Sequence, residues 1–421
     1  MANQTAKNVL AFYDEACKQL NENNVFSSKM DISTKSGVEM QNSNNIYWES
    51  VEQQAPVVEG LDLSGVTPGA IIQQSYPLTV TPPRNDWFTL NATELRDRRF
   101  MENRARAGVK RLSSDANKRA ADLVASTGTM YYESASADYD FVAEADTLMT
   151  ERQLNDDMGR SFFLSPRANQ AMAGNLASRS MYPGNRSDDT YTTGLIAPDV
   201  AGFDLMRAPT YGTIAAAVNA TTTTVAANVV EVPQGYTGTI DSPVNVDYRK
   251  GTVSLTAATN YRVGDVITFA GVNALGMADK TDTGQLMTFR ITAIATNDIT
   301  VYPKPIAANQ AGITSSQAAY ANISTAIVSG MVVSKVNVTG GQANSFWAND
   351  SLCFVNADGN LDVLNEFDGM RVDSTTLDNG IKLYLAYDAN LGSLDCRVRL
   401  FTWYGLVNKD PSRNGNAIYT G

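Results

Sequence analysis

Residues 91–126 read N-A-T-E-L-R-D-R-R-F-M-E-N-R-A-R-A-G-V-K-R-L-S-S-D-A-N-K-R-A-A-D-L-V-A-S. Leu95, Ala105, Val109, Leu112, Ala116, Ala120 and Leu123 fall on one stripe of a helical period, which predicts a long amphipathic helix. Asn91 or Thr93 can cap its start and Gly128 can end it. Between Glu94 and Asp122 the helix carries nine Lys or Arg against five Asp or Glu, a local balance of +4. The whole chain, with 33 basic and 44 acidic residues, stands at −11. A basic helix in an acidic protein is either a solvated face or a receiver for an acidic surface.

An acidic surface lies just before it. From Tyr47 to Val80 the chain has Glu49, Glu52, Glu59 and Asp62 and no Lys or Arg. Pro and Gly interrupt this stretch, and the turn signals cluster near Ser64–Gly69, so residues 46–83 read as a long β-ribbon folding back on itself. An isolated two-stranded ribbon is marginal in water, so it has to lie on its own body or on a neighbour. Further upstream, residues 5–20 have the spacing of a short amphipathic helix, with Val9, Leu10, Tyr13, Cys17 and Leu20 on one side. An Asn- and Ser-rich stretch follows, and residues 1–45 together read as an arm.

Downstream, Phe141 to Met158 is helical in pattern, and Tyr182-Pro183-Gly184-Asn185 marks a loop. From about Thr213 to Asn322 the period becomes two and charge thins. Val253–Leu255, Val263–Ala270, Leu286–Ala293 and Ile299–Tyr302 read as short strands, with a hairpin turn at Thr296-Asn297-Asp298. This block has the texture of an inserted antiparallel barrel or sandwich. Gln317 to Lys335 reads as a return to helix, and Ser393–Val407 as a half-buried strand.

At 421 residues the chain is long enough for two or three domains and a substantial core. It contains no histidine, which removes Ser-His-Asp and Cys-His catalysis, His-liganded zinc and imidazole proton shuttles. Cys17, Cys353 and Cys396 are far apart and fit a reducing compartment better than a disulfide framework. Neither GxGxxG nor GxxxxGK[ST] occurs. The adjacent acids Asp156-Asp157 and Asp188-Asp189 point in different directions and are poor acid/base pairs. Asp358-Gly359-Asn360 and Asp378-Asn379-Gly380 are turn sequences without a complete calcium loop. No cofactor, metal, export signal or membrane span is expected. The net charge argues against general nucleic-acid binding. An unsupported ribbon and an uncovered basic helix would both be satisfied by a repeated neighbour, so the residues favour self-assembly over enzymology.

Eight segments in order resemble one family, the major capsid proteins of short-tailed double-stranded DNA phages of enteric bacteria. They are Val51–Leu63, Asn85–Asp97, Phe141–Gly159, Val200–Asp204, Val263–Val272, Pro303–Ala307, Gln317–Asn322 and Trp403–Gly405. The resemblance implies an α+β chain with the tailed-phage and herpesvirus capsid fold and an inserted antiparallel β-barrel domain. Its parts would be an arm (1–45), an extended loop (46–83), a peripheral domain with a spine helix (84–135), an axial domain in two parts (136–212 and 324–390), the inserted domain (213–323) and a peripheral C-terminal strand and tail (391–421).

The implied function is assembly with a scaffolding protein into pentamers and hexamers of an icosahedral procapsid, which expands as double-stranded DNA is packaged. The implied partners are further copies of the chain, a scaffolding protein and a portal protein, with the DNA enclosed without sequence-specific binding. The setting would be the virion, assembled in the bacterial cytoplasm. By the same resemblance, Asp14 and Glu15 match scaffold-recognising acids, with Lys18 where relatives can carry another acid. Gln234–Lys250 matches a loop that reaches the neighbouring capsomer, with Asp241 and Asp247 against Arg249 and Lys250. The charge pattern adds a contact of Glu49, Glu52, Glu59 and Asp62 in the loop with Arg98, Arg104 and Arg106 on the helix of the next copy. The extended loop has no lysine, so an isopeptide weld through it is unavailable. The runner-up class is a phage decoration or adhesin-type protein with a β-rich binding domain, and a carboxylate-pair hydrolase is a distant third.

Overall fold

A computed structural model describes the chain except residues 1, 24, 36–45, 52–60, 62–63, 65–70, 92, 155–158, 180–194, 220, 237–244, 358–360, 362–369, 378–379 and 391–394. Two compact units emerge, one of residues 1–47, 78–120 and 352–407, the other of 48–77, 121–351 and 408–421. Five helices are named here: α1 (Ala2–Asn23), α2 (Arg98–Thr127), α3 (Tyr139–Glu151), α4 (Pro166–Arg179) and α5 (Ser315–Ala318).

In the first unit, a four-stranded antiparallel sheet is ordered 370–376, 382–390, 395–402 and 84–90. A three-stranded sheet joins 31–35, parallel to 352–357, with 404–408. The core is built from Phe12, Ala16 and Leu20 of α1, Met101, Ala105, Val109 and Leu112 of α2, and Leu383, Leu385, Val398 and Leu400 of the larger sheet. Of the expected stripe, Ala105, Val109, Leu112 and Ala120 are buried on α2, Ala116 and Leu123 are half-buried, and Leu95 lies in the turn before it. The expected alternation at 396–401 also holds for Val398 and Leu400, which are buried between the exposed Arg397 and Arg399.

Two boundaries differ from the sequence reading. Asn91 caps a single 3-10 turn (Glu94–Arg96) by accepting from the Thr93 and Glu94 amides, while α2 itself starts after Asp97, whose carboxylate accepts from the Arg99 and Phe100 amides. The N-terminal helix also proves to be more than an arm. Phe12 and Ala16 are fully buried, so α1 is a structural member of this core.

The second unit holds a seven-stranded mixed sheet, ordered 130–134, 414–419, 341–348, 160–164, 203–207 and 195–200, with 213–214 also pairing to 341–348. Phe141 and Phe203 stand edge-on to Phe162, and Phe162 stacks on Phe346 with ring centroids 5.6 Å apart, so aromatic geometry sets this core. The same unit contains a six-stranded antiparallel sheet ordered 223–224, 332–335, 266–269, 289–295, 298–302 and 251–254. Its two edge strands meet where Val225 bridges Leu255, flanked by Thr256 N–H to the Thr224 carbonyl (2.9 Å) and Ala226 N–H to that of Ser254 (2.8 Å). The sheet is therefore closed into a barrel, which removes its free edges.

That barrel corrects the expectation of a helix over Gln317–Lys335. The helical segment α5 covers four residues, and Val332–Lys335 is a barrel strand. Gly330 at φ +87 and the β-branched pair Val332-Val333 favour this outcome over continued helix. The β-block thus extends past 322 to at least 335.

Phe269 and Phe289 form the centre of the barrel, both fully buried with ring centroids 5.3 Å apart. Phe269→Ala should cost roughly 3–5 kcal/mol, read as a lowered urea midpoint for the transition that reports the barrel. A loss below about 1 kcal/mol would mean that the site is not a packed core.

Candidate assembly surfaces

The chemistry-bearing residues picked out from the sequence lie in three places. On α1, Asp14 is exposed, whereas Glu15 is half-buried and accepts from Arg106 Nε on α2 at 2.7 Å. That hydrogen bond holds the Arg106 guanidinium above its ordinary pKa. The neighbouring Cys17 thiol is pushed up to about 11 by burial and then by the nearby Asp14 charge, so it is a poor nucleophile at neutral pH.

Arg104, the second basic residue assigned to an intersubunit contact, is engaged within the chain. Its Nη2 donates to Asp86 Oδ1 at 2.7 Å, and its guanidinium lies 4.2 Å from the Phe88 ring centroid. Arg104 and Arg106 therefore already have carboxylate partners within the chain, which the sequence expectation did not include. The missed signal was long-range: Glu15 and Asp86 stand 91 and 18 residues away from their partners. Arg98 remains largely exposed, with only Glu102 one turn along (2.8 Å), and Arg96, Arg99, Lys110, Arg111 and Lys118 are exposed as well. A basic face survives on α2, displaced from the residues first assigned to it.

The ribbon keeps its predicted base, with 46–50 paired to 75–79. Glu49 accepts from the Tyr76 hydroxyl at 2.6 Å. Glu52, Glu59 and Asp62 lie outside the described residues. The returning half of the base is anchored: Tyr236 N–H donates to the Gln73 carbonyl (3.0 Å) and Asn245 Nδ2 to Ser75 Oγ (2.9 Å). Leu61 and Ile71, by contrast, are exposed.

Of the candidate loop residues, Asp241 lies outside the described residues, and Asp247 and Arg249 form a two-point ion pair with each other at 2.8 and 3.0 Å. Arg249 also donates to the Lys409 carbonyl and lies against the Tyr76 and Tyr302 rings, and it is only 9% exposed. The expectation that Arg249 projects toward a neighbour is thereby corrected: a guanidinium desolvated between two rings and neutralised by Asp247 is an internal clamp. Lys250 is exposed, 3.9 Å from Asp247.

One device was missed entirely. In the second unit, Arg290 of barrel strand 289–295 is buried and donates to the Ala125 carbonyl in the last turns of α2, while Asn416 Nδ2 donates to the Val124 carbonyl at 2.9 Å. Arg290 supplies a donor to a carbonyl of the last turns and places a cation at the negative end of the helix, while the Val124 carbonyl accepts from the Gly128 amide (2.9 Å) as well as from Asn416. Burial pulls the Arg290 pKa down to about 10. Nothing local in the sequence announces this contact, because Arg290 sits in an otherwise apolar strand.

Against known proteins, the P22 coat protein family (gene protein 5) matches residues 1–419. The chain belongs to the P22 coat protein family. It is a phage major capsid protein and a component of the virion. Among solved structures it is similar to one from Mycobacterium phage Che8, at 12% identity and TM-score 0.43 over 94% of this chain and 92% of that one. A capsid structure of the cyanophage P-SCSP1u is similar at 9% identity and TM-score 0.44, over 94% and 88%. The CUS-3 coat protein I-domain is similar to 28% of this coat protein at 24% identity and TM-score 0.21, over 97% of its own length. Among the described residues no helix of this coat protein is long and apolar enough to cross a membrane, and no cluster of Cys, Asp and Glu could hold a metal ion.

Gly108 shows how tightly the intrachain ion pair is built into α2. A Cβ there would sit 2.3 Å from Asp86 Oδ2, and Arg104 pins that carboxylate through its other oxygen. Gly108→Ala, which would stabilise an ordinary exposed helix, should here destabilise the coat protein by about 1–3 kcal/mol through overpacking, measured by urea unfolding. A gain in stability would show that Asp86 swings away freely.

Proposed function

We propose that this coat protein assembles with a scaffolding protein into the pentamers and hexamers of an icosahedral procapsid, which expands as double-stranded DNA enters. The acidic ribbon of one copy lies on the exposed basic face of α2 in the next. The observation that carries this reading is the charge asymmetry left after intrachain pairing. Arg104 and Arg106 are engaged at home, yet Arg98, Arg99, Lys110 and Arg111 remain exposed on α2, with Arg96 exposed in the turn before it. The ribbon supplies four acids without a single base. Exposed Leu61 and Ile71 on the ribbon add apolar surface that a neighbour would cover.

Asp14, exposed on α1, is the carboxylate offered to a basic scaffolding protein; Glu15 is partly committed to Arg106. A portal protein completes the set of partners. The DNA is enclosed rather than gripped, because a chain at −11 lacks the cation excess that phosphate binding requires. The role is structural and non-enzymatic. Exposed ion pairs contribute only ~0–1 kcal/mol each, so many weak contacts set register and keep assembly sensitive to ionic strength.

Reversal of the ribbon charge in the double variant Glu52→Lys/Glu59→Lys should leave a soluble, folded subunit that no longer closes into shells with scaffold, as seen by negative-stain microscopy. Adding Arg98→Glu/Arg99→Glu should restore a measurable share of closed particles. Normal shell yield from the ribbon variant would remove the proposed contact while leaving the capsid role intact.

A further inference from the structure

Within the second unit, the inserted block meets the ribbon along one short run of the returning strand. Ile72 N–H donates to the Tyr320 hydroxyl at 3.1 Å, and the Gln73 carbonyl accepts from the Tyr236 amide at 3.0 Å. Ser75 Oγ accepts from Asn245 Nδ2 at 2.9 Å, and the Tyr76 ring centroid lies 5.2 Å from the Arg249 guanidinium. Between these contacts, the Gln74 carbonyl accepts from the Val51 amide at 2.9 Å and so closes the ribbon on itself. Every residue from Ile72 to Tyr76 is thus engaged, and all but Gln74 with the inserted block.

Burial makes these contacts costly to break. Ser75, Tyr76, Asn245 and Arg249 are all buried, so opening the Asn245–Ser75 bond leaves both partners without water to replace each other. Arg249 is fixed in turn by Asp247 and by the Lys409 carbonyl. Gly235 permits the close approach on the other side: a Cβ there would stand 2.9 Å from the Gln73 carbonyl oxygen, a backbone atom that cannot swing aside. A two-stranded ribbon is marginal in water by itself, so its base takes its order from what holds it.

We infer that Tyr236, Asn245, Arg249 and Tyr320 act together as a strap by which the inserted domain holds the ribbon base, so that the two open and close as one body. The consequence is coupling. Displacing residues 245–249 loosens the ribbon base, and displacing the ribbon base loosens residues 245–249 by the same free energy. The base is ordered before a neighbour is met, so the entropy of ordering it falls within the chain rather than at assembly. This device operates in the single subunit, whichever surface of another copy the ribbon meets, and it stands apart from the charge contact proposed above.

The test is amide hydrogen exchange at single-residue resolution in the full-length unassembled subunit, read away from the site of each substitution. Asn245→Ala removes the donor to Ser75. It should speed exchange roughly threefold to tenfold at the Ile72 and Val51 amides, although the acceptors of both are untouched. Tyr320→Phe removes the hydroxyl at Ile72 and should speed the Tyr236 amide in the same way, and Gly235→Ala should loosen all three. Exposed Lys250→Gln should change none of them. The Ile291 amide, bonded to the Asp265 carbonyl at 3.0 Å inside the barrel, should exchange at the wild-type rate in every variant. The inference fails if Asn245→Ala leaves Ile72 and Val51 unchanged and Tyr320→Phe leaves Tyr236 unchanged, because the contacts are then independent. It fails equally if Ile291 speeds up as much as the ribbon amides, which would mean a general loss of stability. Should Asn245→Ala not fold, Ser75→Ala breaks the same bond from the other side and is judged by the same amides.

Discussion

The architecture depends on one constraint: α2 must bury an apolar stripe along its length while its last carbonyls find donors. The stripe is met by α1 and the four-stranded sheet, through residues such as Phe12, Val109 and Leu400. The carbonyls of Val124 and Ala125 are met by Asn416 and Arg290. Buried helix ends without such partners would each cost the desolvation of an unpaired polar group. Within the first unit the helix is held by α1 and the four-stranded sheet, and within the second unit its last turns are held by Asn416 and the barrel's Arg290. The face left over is basic and solvent-exposed, and in the proposed assembly it receives the acidic ribbon of another copy.

Intrachain ion pairs decide what assembly can use. Arg104 and Asp86, Arg106 and Glu15, and Arg249 and Asp247 are three pairs in which at least one partner was assigned an intersubunit role, from the charge pattern for Arg104 and Arg106 and from the resemblance for Glu15, Asp247 and Arg249. The buried pair fixes local structure, since breaking it would strand a desolvated charge, whereas the more exposed Arg106 pair adds little stability. The charges exposed at the surface include Arg98, Arg99, Lys110 and Arg111 on α2, Arg96 in the turn before it, Asp14 on α1 and Lys250 by the clamp.

Much of this fold was readable in order along the chain. The α2 stripe, the strands at 251–254, 266–269, 289–295 and 298–302, and the alternation at 396–401 all follow from period and turn chemistry. Three features escaped for physical reasons. Residues 317–335 have apolar spacing compatible with helix, and the decisive pressure was tertiary: the barrel needs Val332–Lys335 to close. The α1 helix looked detachable because its short apolar face gives no hint that Phe12 and Ala16 fit a core made by residues hundreds of positions away. The partners of Arg104, Arg106 and Arg290 are set by topology, which charge counting cannot see. The family was legible because eight short segments kept their order, even though each taken alone is weak.

The central claim is that the acidic ribbon of one copy covers the basic α2 face of another. A residue-resolution cryo-electron microscopy reconstruction of shells assembled from the full-length chain tests it most directly. The account predicts carboxylates of Glu52, Glu59 or Asp62 within ion-pair reach (~4 Å) of the exposed arginines at 96, 98, 99 or 111 of an adjacent subunit. A reconstruction in which those acids face solvent or their own chain, with the α2 basic face bare, would contradict it.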